Sequence, residues 1–202
     1  MDVLFATENP AKVKTYLEPL KKNGINLITI NDLDFKLEIN ESGKTAIENA
    51  RIKAKTYYDK LKIPTIGMDN NLFFLDLPED KQPGTHVRRV NGKRLSDEEM
   101  IDYYIDLVKK YGNPNLSACW KYGMVIYNNG EEKDYSWSKF NFNLVDKPSS
   151  NRNPGYPLDS ITIVPKYNKY LVELTKQEKE ELNHETGTDK VVEFMLKALK
   201  NY

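Results

Sequence analysis

The sequence lacks several features that would assign it to a functional class at once. It has one cysteine, Cys119, among 202 residues, so it can form no internal disulfide, which is typical of a reducing compartment. Its 30 basic and 30 acidic residues cancel, whereas proteins that bind a nucleic-acid backbone usually carry a basic excess. It has no signal-peptide pattern at its start and no apolar run near the roughly 20 residues of a membrane span. These absences predict a cytoplasmic protein that binds neither nucleic acid nor membrane.

The chain nevertheless contains enough material for a substantial core. Aromatic residues make up 11% of the sequence, with 13 tyrosines. A chain of this length can bury roughly 70% of its unfolded surface without a disulfide or metal to stabilise it. We therefore expect a single domain over residues 1–202, with a lobe around residues 78–150 that contains a long hairpin.

The hydrophobic pattern predicts a mixed α/β protein. Apolar runs at residues 3–6 and 27–30 flank a helix that Asn9 would cap and Pro10 would begin, which is a β-α-β unit. Pro19 inside this helix leaves a kink or an earlier end possible. Alternating apolar residues on both sides of Asn129-Gly130 predict two long antiparallel strands joined by a tight turn.

Short-range sequence patterns predict the remaining helices and a further strand. Helices are predicted over residues 45–61, behind a capping box at residues 96–99, over residues 175–182, and from residue 188 onward. A strand that begins near residue 64 is predicted to end at residues 68–71, where the sequence reads Met-Asp-Asn-Asn.

The first candidate binding segment lies between the first strand and the first helix. A helix N-terminus presents unpaired N–H groups and partial positive charge, which suit a phosphate. Thr7 and Asn9 add polar side chains there, and Lys12 adds a full charge one turn later. An ordinary helix cap followed by a solvated lysine gives the same pattern, and it is the simpler interpretation of this segment alone.

The second candidate is one side of the helix over residues 45–61. Asn49 and Lys53 are spaced to lie opposite its apolar side. Glu41 and Glu48 are nearby carboxylates, and carboxylates are the hard oxygen ligands that Mg²⁺ prefers. A solvated helix face is the simpler interpretation here as well.

Asp69 is the third candidate. Ligands of open α/β sheets gather at the carboxyl ends of strands, where Asp69 could act as a base or a metal ligand. Asp-Asn-Asn is also ordinary turn chemistry, so a simple turn is the alternative.

The remaining signals are weaker. His184 is one of two histidines, and Arg89 follows Pro83-Gly84. No phosphate-binding P-loop, dinucleotide fingerprint, zinc motif or nucleophile elbow occurs in the sequence.

The order and spacing of these weak signals are more specific than any one of them. The chain carries T-x-N-x-x-K at residues 7–12 and E-x-G-x-T-x-x-E-N-A-x-x-K-A at residues 41–54. Looser blocks follow at residues 66–72, 83–89, 155–156 and 174–184. In this arrangement the sequence resembles the inosine/xanthosine triphosphate pyrophosphatase family, whose members hydrolyse noncanonical purine nucleoside triphosphates. The resemblance extends from residue 3 to the last helix.

The resemblance implies both a fold and a reaction. The fold would be α/β, with a mixed and strongly twisted central sheet in two lobes, helices on both sides and a cleft between the lobes. The protein would usually be a homodimer. Water would attack the α-phosphorus of a nucleoside triphosphate and release a monophosphate and pyrophosphate, with Mg²⁺ required and Mn²⁺ as a possible substitute.

The resemblance also implies roles for individual residues. Asp69 matches the general base, Lys53 would support catalysis, and Glu41 with Asp69 would ligate the metal. The residues that would bind the nucleotide are Thr7, Asn9, Lys12, Asn49, Arg89, Gly155, Tyr156, Asp159, Lys179, His184 and Glu185.

Departures from the family pattern cluster at the end of the site that would read the base. Met68 stands where the family has the first of two aspartates, Asp159 is displaced by two residues, and Pro154 replaces an aromatic residue. Glu185 replaces an arginine that donates to the purine carbonyl, and an ionised carboxylate can only accept. We therefore predict a base specificity altered from inosine and xanthosine. The alternative is a catalytically weak relative that binds a nucleotide as a sensor or partner module.

Overall fold

The computed structural model describes residues 1–200, which form a mixed α/β fold, as predicted. The strands are β1 (Asp2–Phe5), β2 (Asn26–Thr29), β3 (Thr65–Phe74), β4 (Arg89–Val90), β5 (Lys93–Arg94), β6 (Leu116–Asn128), β7 (Glu131–Leu144), β8 (Thr162–Val164) and β9 (Lys169–Tyr170). The helices are α1 (Pro10–Lys21), α2 (Ala46–Leu61), α3 (Asp97–Tyr111), α4 (Lys176–Glu185) and α5 (Thr188–Lys200). None of the helices within residues 1–200 has the length and apolar character needed to cross a membrane.

The chain divides into two compact units. The first comprises Met1–Asn70, Tyr122–Trp137 and the segment from Gly187 onward, and the second comprises Asn71–Lys121 and Ser138–Thr186. Strands β3, β6 and β7 contribute residues to both units.

In the first unit the strands follow the order β2-β1-β3-β6-β7. Strand β1 pairs in parallel with both β2 and β3, which confirms the predicted β-α-β unit. Helix α1 continues past Pro19 to Lys21. Fully buried apolar side chains, among them Phe5, Leu20 and Ile66, form the core of this unit.

The predicted hairpin is confirmed at the turn between β6 and β7. Asn129 and Gly130 have φ angles of 51° and 82°. Positive φ at both central residues is the requirement of a two-residue hairpin turn that matches the twist of its strands. The Gly130 N–H donates to the hydroxyl of Tyr58 on α2 at 2.6 Å.

Close packing brings α2 directly onto β3. Ala50 and Ala54 of α2 are completely buried, and Gly67 of β3 faces them. A Cβ at Gly67 would lie far inside contact distance of the Ala50 carbonyl oxygen. The absence of a side chain at this position therefore lets helix and strand approach each other, and it sets where Lys53 and Asp69 lie.

The prediction that this strand ends at residues 68–71 is wrong, and so is the turn alternative. Strand β3 runs for ten residues, with Asp69 in its middle. Neighbouring side chains of a strand point to opposite faces, and Met68, Leu72 and Phe74 on the alternate face are all buried. Burial of this face outweighs the low strand propensity of Asp and Asn.

In the second unit the strand order is β3-β6-β7-β8-β9, with antiparallel pairing from β7 through β9. The predicted capping box begins α3, because Ser96 and Glu99 exchange side-chain-to-backbone hydrogen bonds. Helix α3 packs Ile101, Tyr104 and other apolar residues onto the core of this unit. Helix α4 extends three residues beyond its predicted end at residue 182.

Candidate active site

Four charged side chains of the first unit come together from α1, α2, β3 and the loop before α2. The ammonium nitrogen of Lys53 lies 2.9 Å from Glu41 Oε2 and 3.3 Å from Asp69 Oδ1. Lys12 Nζ lies 4.0 Å from the same Asp69 oxygen. The side chains of Lys12 and Asp69 are only 12% exposed and that of Lys53 only 13%. The result is a cluster of two cations and two anions in which Lys12, Lys53 and Asp69 are nearly buried and Glu41 is exposed.

Burial perturbs the protonation of Lys12. Desolvation is the main cause that lowers its pKa from 10.5 to about 8. The positive charge of Lys53 lowers this pKa further, while Asp69 and Glu41 oppose the change. A ligand that brought additional negative charge would favour the protonated form of Lys12, as any nearby anion does.

The start of α1 combines a helix cap with a buried lysine. Asn9 Oδ1 accepts a hydrogen bond from the Ala11 N–H at 2.9 Å, and Thr7 Oγ1 accepts from the Asn9 N–H at 3.2 Å. The interpretation of Asn9 as a cap is therefore confirmed, but a solvated Lys12 is wrong because this side chain is nearly buried beside Asp69. The helix N-terminus and the charged cluster thus occupy the same region of the first unit.

Asn49 organises the loop that carries Glu41. It is 1% exposed, and its Oδ1 accepts a hydrogen bond from the Gly43 N–H at 2.8 Å. The interpretation of this side of α2 as a solvated face is wrong, since Lys53 on the same side is also nearly buried. Asn49 therefore holds the Glu41 loop against α2 through the Gly43 N–H.

The residues present fit a divalent cation. Asp69 Oδ2 is buried and has no hydrogen-bond partner among the described residues, although its other oxygen faces two lysines. Two carboxylates suffice for Mg²⁺, which commonly takes one or two carboxylates and completes its shell with water and substrate phosphates. Within residues 1–200 no group of three or more His, Cys, Asp or Glu side chains is placed to hold a metal.

Met68 contributes packing at this point of the strand. It is 4% exposed and lies in the apolar core of the first unit, on the face of β3 opposite Asp69. A thioether is in any case a poor ligand for Mg²⁺.

The second unit contains a separate charged group around Asp159. Burial is the main cause that raises the pKa of Asp159 to about 6, against a hydrogen bond from Asn153 and the charges of Lys179 and Lys139. The Asn153 Nδ2 donates to Asp159 Oδ2 at 2.7 Å. Burial also lowers the pKa of Lys139 to about 8, opposed by Asp159. Sequence reasoning missed Lys139, whose only signal is a lysine within the alternating pattern of β7.

The other predicted nucleotide-binding residues of the second unit lie in different settings. Gly155 has a φ of 84° and donates its N–H to Asp97 Oδ2 at 3.0 Å, next to the half-buried Tyr156. Glu185 accepts a hydrogen bond from Lys166 Nζ at 2.6 Å on the surface. Three further side chains are exposed: Arg89 on β4, and Lys179 and His184 on α4.

The chain is similar to proteins of known family over nearly its whole length. It is 27% identical over 197 residues to the dITP/XTP pyrophosphatase of Bacillus subtilis, covering 98% of each chain. It is 31% identical over 201 residues to the enzyme of the same name from Lactobacillus acidophilus, covering 98% of this chain and 96% of the relative.

Solved structures of this group share the fold. A HAM1 protein from Coxiella burnetii matches with a TM-score of 0.79 at 23% identity, over 98% of this chain and 100% of the other. The Staphylococcus aureus Ham1 protein matches with a TM-score of 0.75 at 21% identity, over 96% and 98%. The resemblance found in the sequence is therefore confirmed. Since the model of the Ham1 family matches residues 3–190, the chain belongs to the Ham1 family.

Proposed function

We propose that this protein hydrolyses a nucleoside triphosphate to a nucleoside monophosphate and pyrophosphate, with Mg²⁺ as its cofactor. Water attacks the α-phosphorus, the bond from that phosphorus to the bridging oxygen breaks, and pyrophosphate leaves. Family membership and relatives named dITP/XTP pyrophosphatase make the chain a nucleoside triphosphate pyrophosphatase. The observation that carries the mechanism is the cluster of two nearly buried lysines, the nearly buried Asp69 and the exposed Glu41 in the first unit.

The cationic side of this cluster suits a triphosphate. Lys12 and Lys53 offer two ammonium groups from a nearly buried environment, where charges interact more strongly than in water. Thr7 and Asn9 lie at the N-terminus of α1, which favours anions. We assign phosphate binding to these four residues and a supporting role to Asn49, which holds the Glu41 loop.

The anionic side suits the metal and the proton transfer. Glu41 and Asp69 would hold Mg²⁺, which when bound neutralises charge on the phosphates. Asp69 would accept the proton of the attacking water. A buried carboxylate with one oxygen lacking a protein partner is suited to that role, because a general base must reach the water directly.

For the nucleobase we propose a preference altered from inosine and xanthosine. By the family resemblance, the residues further assigned to the nucleotide are Arg89, Gly155, Tyr156, Asp159, Lys179, His184 and Glu185. Glu185 is held by Lys166 at the surface, but an exposed pair of this kind contributes only about 0–1 kcal/mol and can open. Loss of the family's arginine at this position and of the aromatic residue at Pro154 supports a changed preference.

The reaction is tested with a panel of nucleoside triphosphates, assayed for pyrophosphate release with Mg²⁺ and with Mn²⁺. We expect turnover by the wild type and a loss of about 100-fold or more in Asp69→Asn, as is typical when a general base is removed. Asp34→Asn, which removes an exposed carboxylate of the same unit, should retain wild-type rates. If the wild type cleaves nothing while nucleotides still raise its melting temperature, the binding-only alternative holds and the reaction is refuted. A clear preference for inosine triphosphate would refute the altered specificity.

Homodimer formation and a cytoplasmic location extend the family resemblance to this chain and are part of the same proposal. Light scattering on the purified protein tests the dimer, and a monomeric mass at assay concentration would contradict it.

A further inference from the structure

The first turn of α3 contacts two segments of the second unit that carry proposed nucleotide-binding residues. Asp97 and Glu98 are adjacent acidic residues at the start of this helix. Their carboxylates reach in two directions, toward the segment before β4 and toward the loop at residues 149–156. None of these contacts is needed to form α3 itself, because its N-cap is supplied by Ser96 and Glu99.

Asp97 connects both segments through one carboxylate. Its Oδ1 accepts a hydrogen bond from Arg88 Nη1 at 2.7 Å, and its Oδ2 accepts one from the Gly155 N–H at 3.0 Å. The same Arg88 nitrogen also donates to the Leu95 carbonyl oxygen at 3.3 Å. Although burial acts in the opposite direction, the hydrogen bonds from Gly155 and Arg88 lower the pKa of Asp97, so the ionised acceptor is maintained at neutral pH.

Glu98 holds the same loop at a second point. Its two carboxylate oxygens accept hydrogen bonds from Arg152 Nε at 2.8 Å and Nη2 at 3.3 Å. The remaining Arg152 nitrogen, Nη1, donates to the carbonyl oxygens of Ser149 at 2.5 Å and Asn151 at 3.2 Å. Bidentate pairs of this kind fix geometry as well as contributing energy.

The positions that Asp97 holds, Arg88 and Gly155, each precede a residue assigned to the nucleotide, and Gly155 is itself one of the assigned residues. Arg88 precedes Arg89, and Gly155 precedes Tyr156. Gly155 adopts a φ of 84°, a conformation that side chains disfavour, so its N–H direction is set by the turn and by Asp97 together. Movement of the Asp97 carboxylate would therefore displace both neighbours at once.

We propose that Asp97 is a positioning residue for nucleobase selection, which fixes the Gly155–Tyr156 turn relative to the strand that carries Arg89. The proposal rests on the proposed nucleotide hydrolysis and assigns Asp97 no contact with the substrate. A change at Asp97 should therefore weaken the binding of ligands that carry a base. It should leave the binding of a polyphosphate without a base unchanged.

The test replaces Asp97 with asparagine, which keeps the shape but has a single acceptor oxygen. Asparagine cannot accept from Arg88 and from the Gly155 N–H with two separate oxygens. We expect the KM for the preferred nucleotide to rise about tenfold, as loss of a charge-assisted hydrogen bond predicts, with kcat within about twofold. The inhibition constant of inorganic tripolyphosphate, which has no base, should stay unchanged. Asp106→Asn removes an exposed carboxylate of the same helix and should change none of these values.

Amide hydrogen exchange gives a readout that does not require activity. Residues 149–156 should exchange faster in Asp97→Asn and in the second variant, Glu98→Gln, than in the wild type. Unchanged exchange in both variants overturns the proposal, as does a parallel rise of the nucleotide KM and the tripolyphosphate inhibition constant. If the wild type cleaves no nucleotide, the proposed function fails by itself. The proposal about Asp97 is then decided by exchange and by whether Asp97→Asn weakens thermal stabilisation by nucleotide but not by tripolyphosphate.

Discussion

Replacing Lys12 with methionine should change how the stability of the protein depends on pH. Burial holds the pKa of Lys12 at about 8 in the folded chain, against an ordinary value of 10.5. Between these two values the unfolded chain binds a proton at this site that the folded chain does not. The free energy of unfolding therefore gains a contribution from Lys12 that is absent below about pH 8 and grows as the pH rises toward 10.5.

The magnitude follows from the shift. Each pKa unit corresponds to about 1.36 kcal/mol, so the full difference between 10.5 and about 8 is worth about 3.4 kcal/mol. Integration between pH 7 and pH 10 yields about 2.5 kcal/mol of this, because titration in the unfolded chain is incomplete at pH 10. Lys12→Met cannot titrate, so its stability relative to the wild type should fall by about 2.5 kcal/mol over that interval.

Urea unfolding at several pH values between 7 and 10 measures this difference. Other groups titrate over the same range, but their contributions cancel to first order when the wild type is subtracted from the variant. Lys14→Met, which removes an exposed lysine of the same helix, controls for the loss of one surface ammonium. The contrary result is a difference in unfolding free energy between the wild type and Lys12→Met that changes by less than about 1 kcal/mol between pH 7 and pH 10. That result would refute the assignment of Lys12 to a desolvated site.

Further predictions concern packing, the second charged group and a helix cap. Gly67→Ala forces a Cβ against the Ala50 carbonyl oxygen and should cost about 3 kcal/mol or more of unfolding free energy in urea; an unchanged midpoint would contradict the close approach of α2 and β3. Burial raises the pKa of Asp159 from 3.8 to about 6. Between these two pH values the folded chain binds a proton that the unfolded chain does not, so the free energy of unfolding falls as the pH rises. Asp159→Asn should therefore gain about 2 kcal/mol over the wild type between pH 4 and pH 7, and a constant difference would argue against a desolvated carboxyl. Ser96→Ala should cost about 1 kcal/mol in thermal unfolding, since it removes the acceptor for the Glu99 N–H; no loss would show that Ser96 does not stabilise α3.

Elements whose signals are local were predictable from the sequence. The turn at Asn129-Gly130 needs only residues that tolerate positive φ between two alternating segments, and it forms as expected. The caps at Asn9 and Ser96 also depend on neighbours within three residues. In each case the residues that determine the structure are adjacent in sequence, so no tertiary information is required.

Features that depend on distant partners were not predictable. Strand β3 continues through Asp69 because both of its ends are anchored in buried cores, which outweighs the turn preference of its middle residues. Lys12 and Lys53 have the sequence context of solvated lysines, and only the packing of α1 and α2 near β3 encloses them. Lys139 gives no local sign of its proximity to Asp159, which lies 20 residues later in the chain.

The block at residues 41–54 shows how a sequence pattern can encode the placement of one carboxylate. Thr45 Oγ1 accepts a hydrogen bond from the Glu48 N–H at 3.3 Å and so begins α2. Glu48 Oε2 in turn accepts from the Lys44 N–H at 2.7 Å, which draws the preceding loop back onto the helix. The threonine and the first helical glutamate of the pattern are thus explained by the helix start alone, without any contact to a ligand.

Glycine and asparagine in the same block complete the placement of Glu41. Asn49 Oδ1 accepts from the Gly43 N–H, and a Cβ at Gly43 would lie 2.6 Å from that oxygen, so a larger residue there would push the loop away from the helix. With the loop held this close, Glu41 reaches Lys53 one turn farther along the same helix. Four residues of the pattern therefore serve to fix one exposed carboxylate beside a nearly buried lysine. The use of four residues to fix a single charged contact is better explained by the chemistry of the cluster than by the stability of the fold. An ion pair with one exposed partner stabilises a fold only weakly.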